Sequence, residues 1–329
     1  MRALIPLLVA GFALLAWMSS QAAPNAPVLE FNGQCDASAA VALDDDRFLV
    51  ADDEDNVLRV YRISAPGLPI TEYDLSDFLR IEKKNGEADI EGACRVGQRL
   101  YFISSHGRNK KGKDSPDRKR FFAVDFKLTG DDVEFKPAGD PYQFLLSDMA
   151  VAPQLRRFQL AEASKDAPKQ EGALNIEGLC TMPDGTLMIG FRNPIPDGKT
   201  LMVPLKNADA VIAGRDAQFG DPILLDLGGL GVRSLGWWRD RLLIVAGHYD
   251  SGGVSKLFTW KPGEEPKHIS GVRLKGLNPE GLTFDKSDSF SFVSDDGTEQ
   301  RAGKLCKDLK DPIDKEFRMY RIPAEQLGF

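Results

Sequence analysis

Histidine and cysteine are scarce in this sequence, with three of one and four of the other in 329 residues. No CxxC pair and no HExxH stretch occurs, which excludes a thiolate zinc site and a zincin-type helix. A GxSxG turn is also missing, and Gly228 to Gly231 runs between two strand-like segments with no helix after it, so it is neither a P-loop nor a dinucleotide fingerprint. Four cysteines are too few for a disulfide scaffold, and a chain of this length buries an adequate core without one. There is no basic excess. The formal net charge of −7 excludes a non-specific nucleic-acid binder, which needs a basic face to neutralise phosphates, so any anion site is local. Only one long apolar run exists, Ala3 to Trp17, and it falls short of the roughly 20 residues that span a bilayer.

That run follows Arg2 and ends in small residues, with Ser20 and Ala22 at the positions a signal peptidase inspects. Residues 1–22 are therefore expected to be a cleaved signal peptide, delivering the chain to the periplasm or outside the cell with no remaining membrane span. Residues 23–329 are expected to form one domain, because a single repeat runs through them.

Five segments share that repeat, starting at Asp36, Asp89, Asn175, Val232 and Asn278. Each reads as a short strand, a tight turn, a strongly apolar strand and a polar loop. The turns carry Asp and Gly chemistry suited to hairpins, as in Pro183-Asp184-Gly185. A third strand follows each loop (Val57 to Ile63 is the first), and a fourth element such as Ile70 to Leu75 precedes the next repeat. Four strands per unit make a propeller blade. The second strands are almost continuously apolar, as stacked blades covering both faces require, and most gaps lack a helical period. The expected fold is all-β, a β-propeller of five blades with six as the alternative. The longest gap holds a helical insertion near 145–165, interrupted at Pro153. Val28 to Phe31 is expected to join the last blade and close the ring.

The strand order brings the start of each inner strand and the loop after each second strand to one rim. Glu91, Glu177 and Glu280 begin three inner strands, with Ser38 and Ser234 at the matching positions. Fifteen residues later stand Asp53, His106, Arg192 and Asp295, and His248 lies fourteen after Ser234. The three glutamates are the candidate ligands of a hard divalent cation, calcium favoured, since three inward carboxylates repel one another without one. The bland alternative has them stapling neighbouring blades through backbone amides. His106 and His248 are the candidate proton carriers. Arg108 and Asn109, in a loop from Ser105 that is rich in lysine and arginine, join Arg192, Asp53 and Asp295 as candidate ligand contacts, against the reading that such a loop is merely solvated. Ring closure also brings Cys35 to Cys306, so these two are expected to bond and to leave Cys94 and Cys180 as buried thiols.

The stretches ASAAVALDDDRFLVADDEDNVLRVYRI, EADIEGACRVGQRLYFISSHGRNKKGK, LNIEGLC and NPEGLTF resemble the exported bacterial family catalogued as domain of unknown function 3616, over nearly all of the chain after residue 22. The resemblance implies a secreted or periplasmic propeller and brings no catalytic residues with it. More distantly, the Glu-Gly strand starts are similar to those of gluconolactonase-type and esterase-like phytase propellers. In the former a glutamate helps to hold a divalent cation, which implies that role for Glu91, Glu177 or Glu280. Two functions are carried forward: a metal-dependent hydrolase of an anionic (phospho)ester, and a non-catalytic cell-envelope module that binds a small anionic molecule or an envelope protein.

Overall fold

The computed structural model describes residues 28–81, 86–272, 274–284 and 289–327; the expected signal peptide, 1–22, lies outside the described residues. Five four-stranded antiparallel sheets form the blades of a β-propeller. The inner strands are Ala37–Ala42, Ile90–Val96, Asn175–Thr181, Gly231–Trp238 and Pro279–Phe284, in blades 1 to 5. Each packs beside the inner strand of the next blade, and the fifth returns to the first. In blade 5 the outermost strand is Val28–Asn32, paired with Glu316–Ile322 from Val28 opposite Tyr320 to Asn32 opposite Glu316. The start of the described chain thus closes the ring by completing blade 5.

Burial explains the apolar second strands. Every residue of Arg47–Asp52 and Leu187–Asn193 is buried, because blades cover both faces, whereas outer strands such as Thr71–Asp74 are half exposed. The insertion after blade 2 contains the helices Leu145–Val151 and Leu160–Ala163, separated by a break at Pro153. Leu145, Met149, Leu155 and Leu160 pack into the core shared by blades 2 and 3.

One irregularity recurs in every blade. The pairing of inner and second strands skips Ser38 in blade 1, Glu91 in blade 2, Glu177 in blade 3, Arg233 in blade 4 and Glu280 with Gly281 in blade 5. These are β-bulges, which re-aim a side chain and bend the strand. They correct the sequence register in blade 4: Val232 pairs with Ala246 and Ser234 with Val245, so Arg233, not Ser234, holds the position of the glutamates. His248 then lies fifteen residues after the bulged residue, as its counterparts do in the other blades.

Cys35 and Cys306 are disulfide-bonded, with Cα atoms 5.9 Å apart, and tie the long loop of blade 5 to the start of blade 1. Cys94 and Cys180 are free and buried. Cys94 belongs to the core between blades 2 and 3 and Cys180 to that of blades 3 and 4, so the two thiols serve successive interfaces.

Candidate active site at the acidic mouth

The bulges bring Glu91, Glu177 and Glu280 near enough to act on one another electrostatically, but the structure divides the three glutamates. Glu177, 3% exposed, accepts a bond from Arg192 at 2.5 Å and from Asn175 at 2.9 Å, and Arg233 stands 3.8 Å from its other oxygen. Glu280 is ion-paired with Arg233, and Asn278 links Arg233 to Asp295. Both glutamates are thus matched to arginines. Glu91 is different. Its carboxylate groups with those of Asp53 and Asp89, one oxygen from each lying within 4.8 Å of the others.

Electrostatics follow this division. Burial, and then Glu177, Asp89 and Glu280, push the Glu91 carboxyl well above its usual range, against the pull of Arg192. Asp53 is raised by burial and by Glu91 and Asp295. Asp89 is raised to about 6 by burial, offset by Arg118, which stands 2.8 Å away. The Asp53 Oδ1 and Glu177 Oε2 atoms are buried and accept no hydrogen bond among the described residues. Such oxygens are costly unless a proton or a cation meets them.

Asp89 and Arg233 were missed by the sequence reading. Asp89 starts the second repeat, one step before the inner strand, where the spacing alone does not assign it to the rim. The fourteen-residue offset to His248 was the signal that Arg233 is the rim residue.

Arg192 has no free face: it donates to Glu177, to the His248 carbonyl at 3.1 Å and to Ser251 Oγ at 2.8 Å. It braces the blade 4 loop. Asp295 accepts from Asn278 and from the Gly297 amide. The His106 ring is buried, its Nδ1 2.8 Å from the Ser104 carbonyl, while its Nε2 has no partner among the described residues. Burial pushes its pKa down to about 4, so the ring is neutral at pH 7, and the charges acting on it are those of Lys119 and Arg120. The His248 ring is exposed and lies over Gly253, where an added Cβ would come within 2.7 Å of it. No hydrogen bond joins either histidine ring to Asp53, Asp89 or Glu91 among the described residues.

The basic loop is largely satisfied internally. Arg118 pairs with Glu87 and Asp89, Arg120 donates to the carbonyls of Leu79, Pro116 and Lys119, and Lys119 meets Asp114 at 2.6 Å. Arg108 donates to the Gly112 carbonyl, and the Asn109 side-chain oxygen accepts the amides of Lys111 and Lys113, which shapes the turn. Lys110 reaches Glu54 at 3.7 Å. Lys111 and Lys113 are exposed.

A family model described as "Protein of unknown function (DUF3616)" matches residues 36–125 and 141–281, more than half of the chain. No curated protein matches it. Solved structures similar to it in fold include a glutaminyl cyclase of Myxococcus xanthus, at 12% identity over 89% of this chain and 94% of that one, with a TM-score of 0.45. Another is a putative oxidoreductase (glucose dehydrogenase) of Thermus thermophilus, at 15% identity over 91% and 100%, TM-score 0.45. A third is the PQQ-bound aldose sugar dehydrogenase of Streptomyces coelicolor, at 11% identity over 91% and 100%, TM-score 0.43. Likeness at this level speaks to architecture and not to chemistry.

Proposed function

This chain belongs to the family described as "Protein of unknown function (DUF3616)", and since no reaction comes with that membership, we propose one from the chemistry of the mouth. The propeller binds a divalent cation, calcium by preference, on Asp53, Asp89 and Glu91, and hydrolyses a small anionic ester there. The observation that carries this reading is the close approach of three carboxylates, of which Asp53 keeps a buried oxygen without a partner among the described residues. All the donors are hard oxygens, which suit calcium or magnesium and not a thiophilic metal. Three carboxylates leave part of a six- to eight-oxygen calcium shell, in round numbers about half, for water and ligand. A bound cation would supply charge to an ester's oxygen and lower the pKa of water.

The chain's own residues set the charge. Arg192 and Arg233 neutralise Glu177 and Glu280, which confines the surplus negative charge to the group around Glu91. Lys111 and Lys113, exposed on the neighbouring loop, favour the approach of anions despite the acidic whole. The Cys35–Cys306 bond suits an oxidising compartment, which supports placing the protein in the periplasm or outside the cell. No helix among the described residues is long and apolar enough to cross a membrane.

A second reading, a non-catalytic module that binds an anionic molecule or an envelope protein through the cation, is favoured by the histidines, neither of which has a hydrogen bond to the three carboxylates among the described residues. Metal analysis of the purified protein decides first, followed by melting after chelation and readdition of cation. A concentration-dependent rise in Tm is expected. Hydrolysis of phosphomonoesters and phosphodiesters, with lactones for comparison, is then expected to be abolished by chelator. Absence of bound metal together with an unmoved Tm would sink both readings; a Tm response without turnover would leave the binding module.

A further inference from the structure

The inner strands run from the acidic mouth to the opposite one, where they enclose a cavity of about 370 Å³. Its wall draws on every blade, through Ala42, Ala93, Leu179, Trp237 and Phe284 among others. The volume falls within the roughly 300 to 1,000 Å³ of small-molecule sites. Gly236 belongs to this wall for a steric reason: a Cβ there would come within 2.3 Å of the Phe284 ring, which leans across it.

Polar groups around the cavity are already engaged. Arg95 donates to the carbonyls of Ala42 and Leu43 and lies 4.8 Å from the centre of the Phe126 ring. Asp44 holds Arg47, the Thr181 hydroxyl donates to the Arg95 carbonyl, and Trp237 Nε1 donates to the Arg239 carbonyl. What remains to meet a ligand is mostly carbon surface with the two free thiols, and Asp44 and Asp45 on the same wall disfavour an anion.

Next to this cavity, on the side of the acidic mouth, lies a second pocket of about 10 Å³, room for no more than a single water, lined by Glu91 and Glu177 as well as by Leu179 and Leu282. Both leucines line the large cavity as well, so they form its floor.

We infer that this second mouth is a binding site for a neutral, mostly apolar molecule of fused-ring size, separate from the cation site. An aromatic ligand gains from the faces of Trp237 and Phe284 in addition to the area it buries. The inference does not depend on the reaction proposed for the acidic mouth.

The test uses the full chain and the neutral fluorescent probe N-phenyl-1-naphthylamine. Saturable binding at one site is expected, unchanged by chelator. Occupancy should slow modification of Cys94 and Cys180, the free cysteines on its wall, by methyl methanethiosulfonate. Ala93→Phe, which fills the cavity, should weaken binding at least about tenfold, equivalent to about 1.4 kcal/mol. Phe144→Ser removes the exposed ring at the helical insertion, 63% accessible, and should leave binding as it was. Lack of saturation, unprotected thiols, or a larger effect from Phe144→Ser than from Ala93→Phe would each overturn the inference. Should Ala93→Phe fail to fold, thiol protection in the unaltered chain decides.

Discussion

Arg233 stands at the bulge where blades 2, 3 and 5 carry glutamates, and it changes what the ring of acids can do. Four like residues would repel; one arginine among them, 5% exposed and beside both Glu177 and Glu280, turns two of the acids into structural partners. Removing one member of such a pair leaves a buried charge uncompensated. Arg233→Gln is therefore expected to lower unfolding free energy by about 3 to 5 kcal/mol in urea titrations. Glu177→Gln should also destabilise, by roughly 1 to 3 kcal/mol, because Arg192 loses a charged acceptor. Glu91→Gln should behave in the opposite way. It relieves repulsion from Asp53 and Asp89, so the chelated protein keeps or gains stability, while the rise in Tm on adding calcium is lost. A Glu91→Gln protein that still responds to cation would move the site elsewhere.

At the scale of the strand, each bulged glutamate is followed by a glycine, and the pairing has a steric cause. A Cβ on Gly281 would sit 2.4 Å from the Ala40 amide nitrogen, and one on Gly178 would sit 2.6 Å from a Val232 methyl. The next blade's inner strand presses against these positions, which lets the five strands crowd round a narrow axis. Gly281→Ala must push blade 1 away from blade 5, and a loss of about 1 to 3 kcal/mol is expected by calorimetry. A neutral outcome would mean that the seam is looser than its geometry implies. The same seam is held by Cys35–Cys306, across a separation of 271 residues. Replacing both cysteines with serine should cost about 2 to 5 kcal/mol, with the far-ultraviolet signature of the sheets retained below the new Tm.

For the molecule as a whole, buried acids make stability depend on pH in an unusual direction. Burial, and then Asp295 and Glu54, raise Asp36 to about 7. A raised acid binds its proton in the folded state before it does so unfolded, so its contribution is largest at low pH and fades as pH climbs through the folded value. The chelated protein should accordingly melt several degrees higher at about pH 6 than at about pH 8. Below that window His106 opposes the trend, since its folded value of about 4 lies under the ordinary 6.5 and the unfolded chain takes up the proton first. Saturating calcium should raise Tm more at about pH 8 than at about pH 6, because Asp53 and Glu91, both raised, must give up their protons to hold it. Melting curves at intervals of pH, with and without chelator, check both parts.

Much of this was legible in the chain. Strand, turn, strand and loop recur because each blade solves the same packing problem locally, and so the blade count, the closing strand, the insertion after blade 2 and the gathering of acids at one rim were all available from spacing. Asp53, Glu91, Glu177, Glu280 and Asp295 were placed at that rim by the repeat itself. Which acid keeps its charge free was not legible. That depends on contacts the repeat does not record: Arg192 reaching the blade 4 loop, Arg118 folding back onto Asp89 within blade 2, and Arg233 standing at the bulge where blades 2, 3 and 5 carry a glutamate. A repeat dictates where a side chain sits within its own blade, through short-range strand geometry. Only the closed ring decides which charges meet across the axis, because a shift of one residue in one strand changes the partners of every residue beside it.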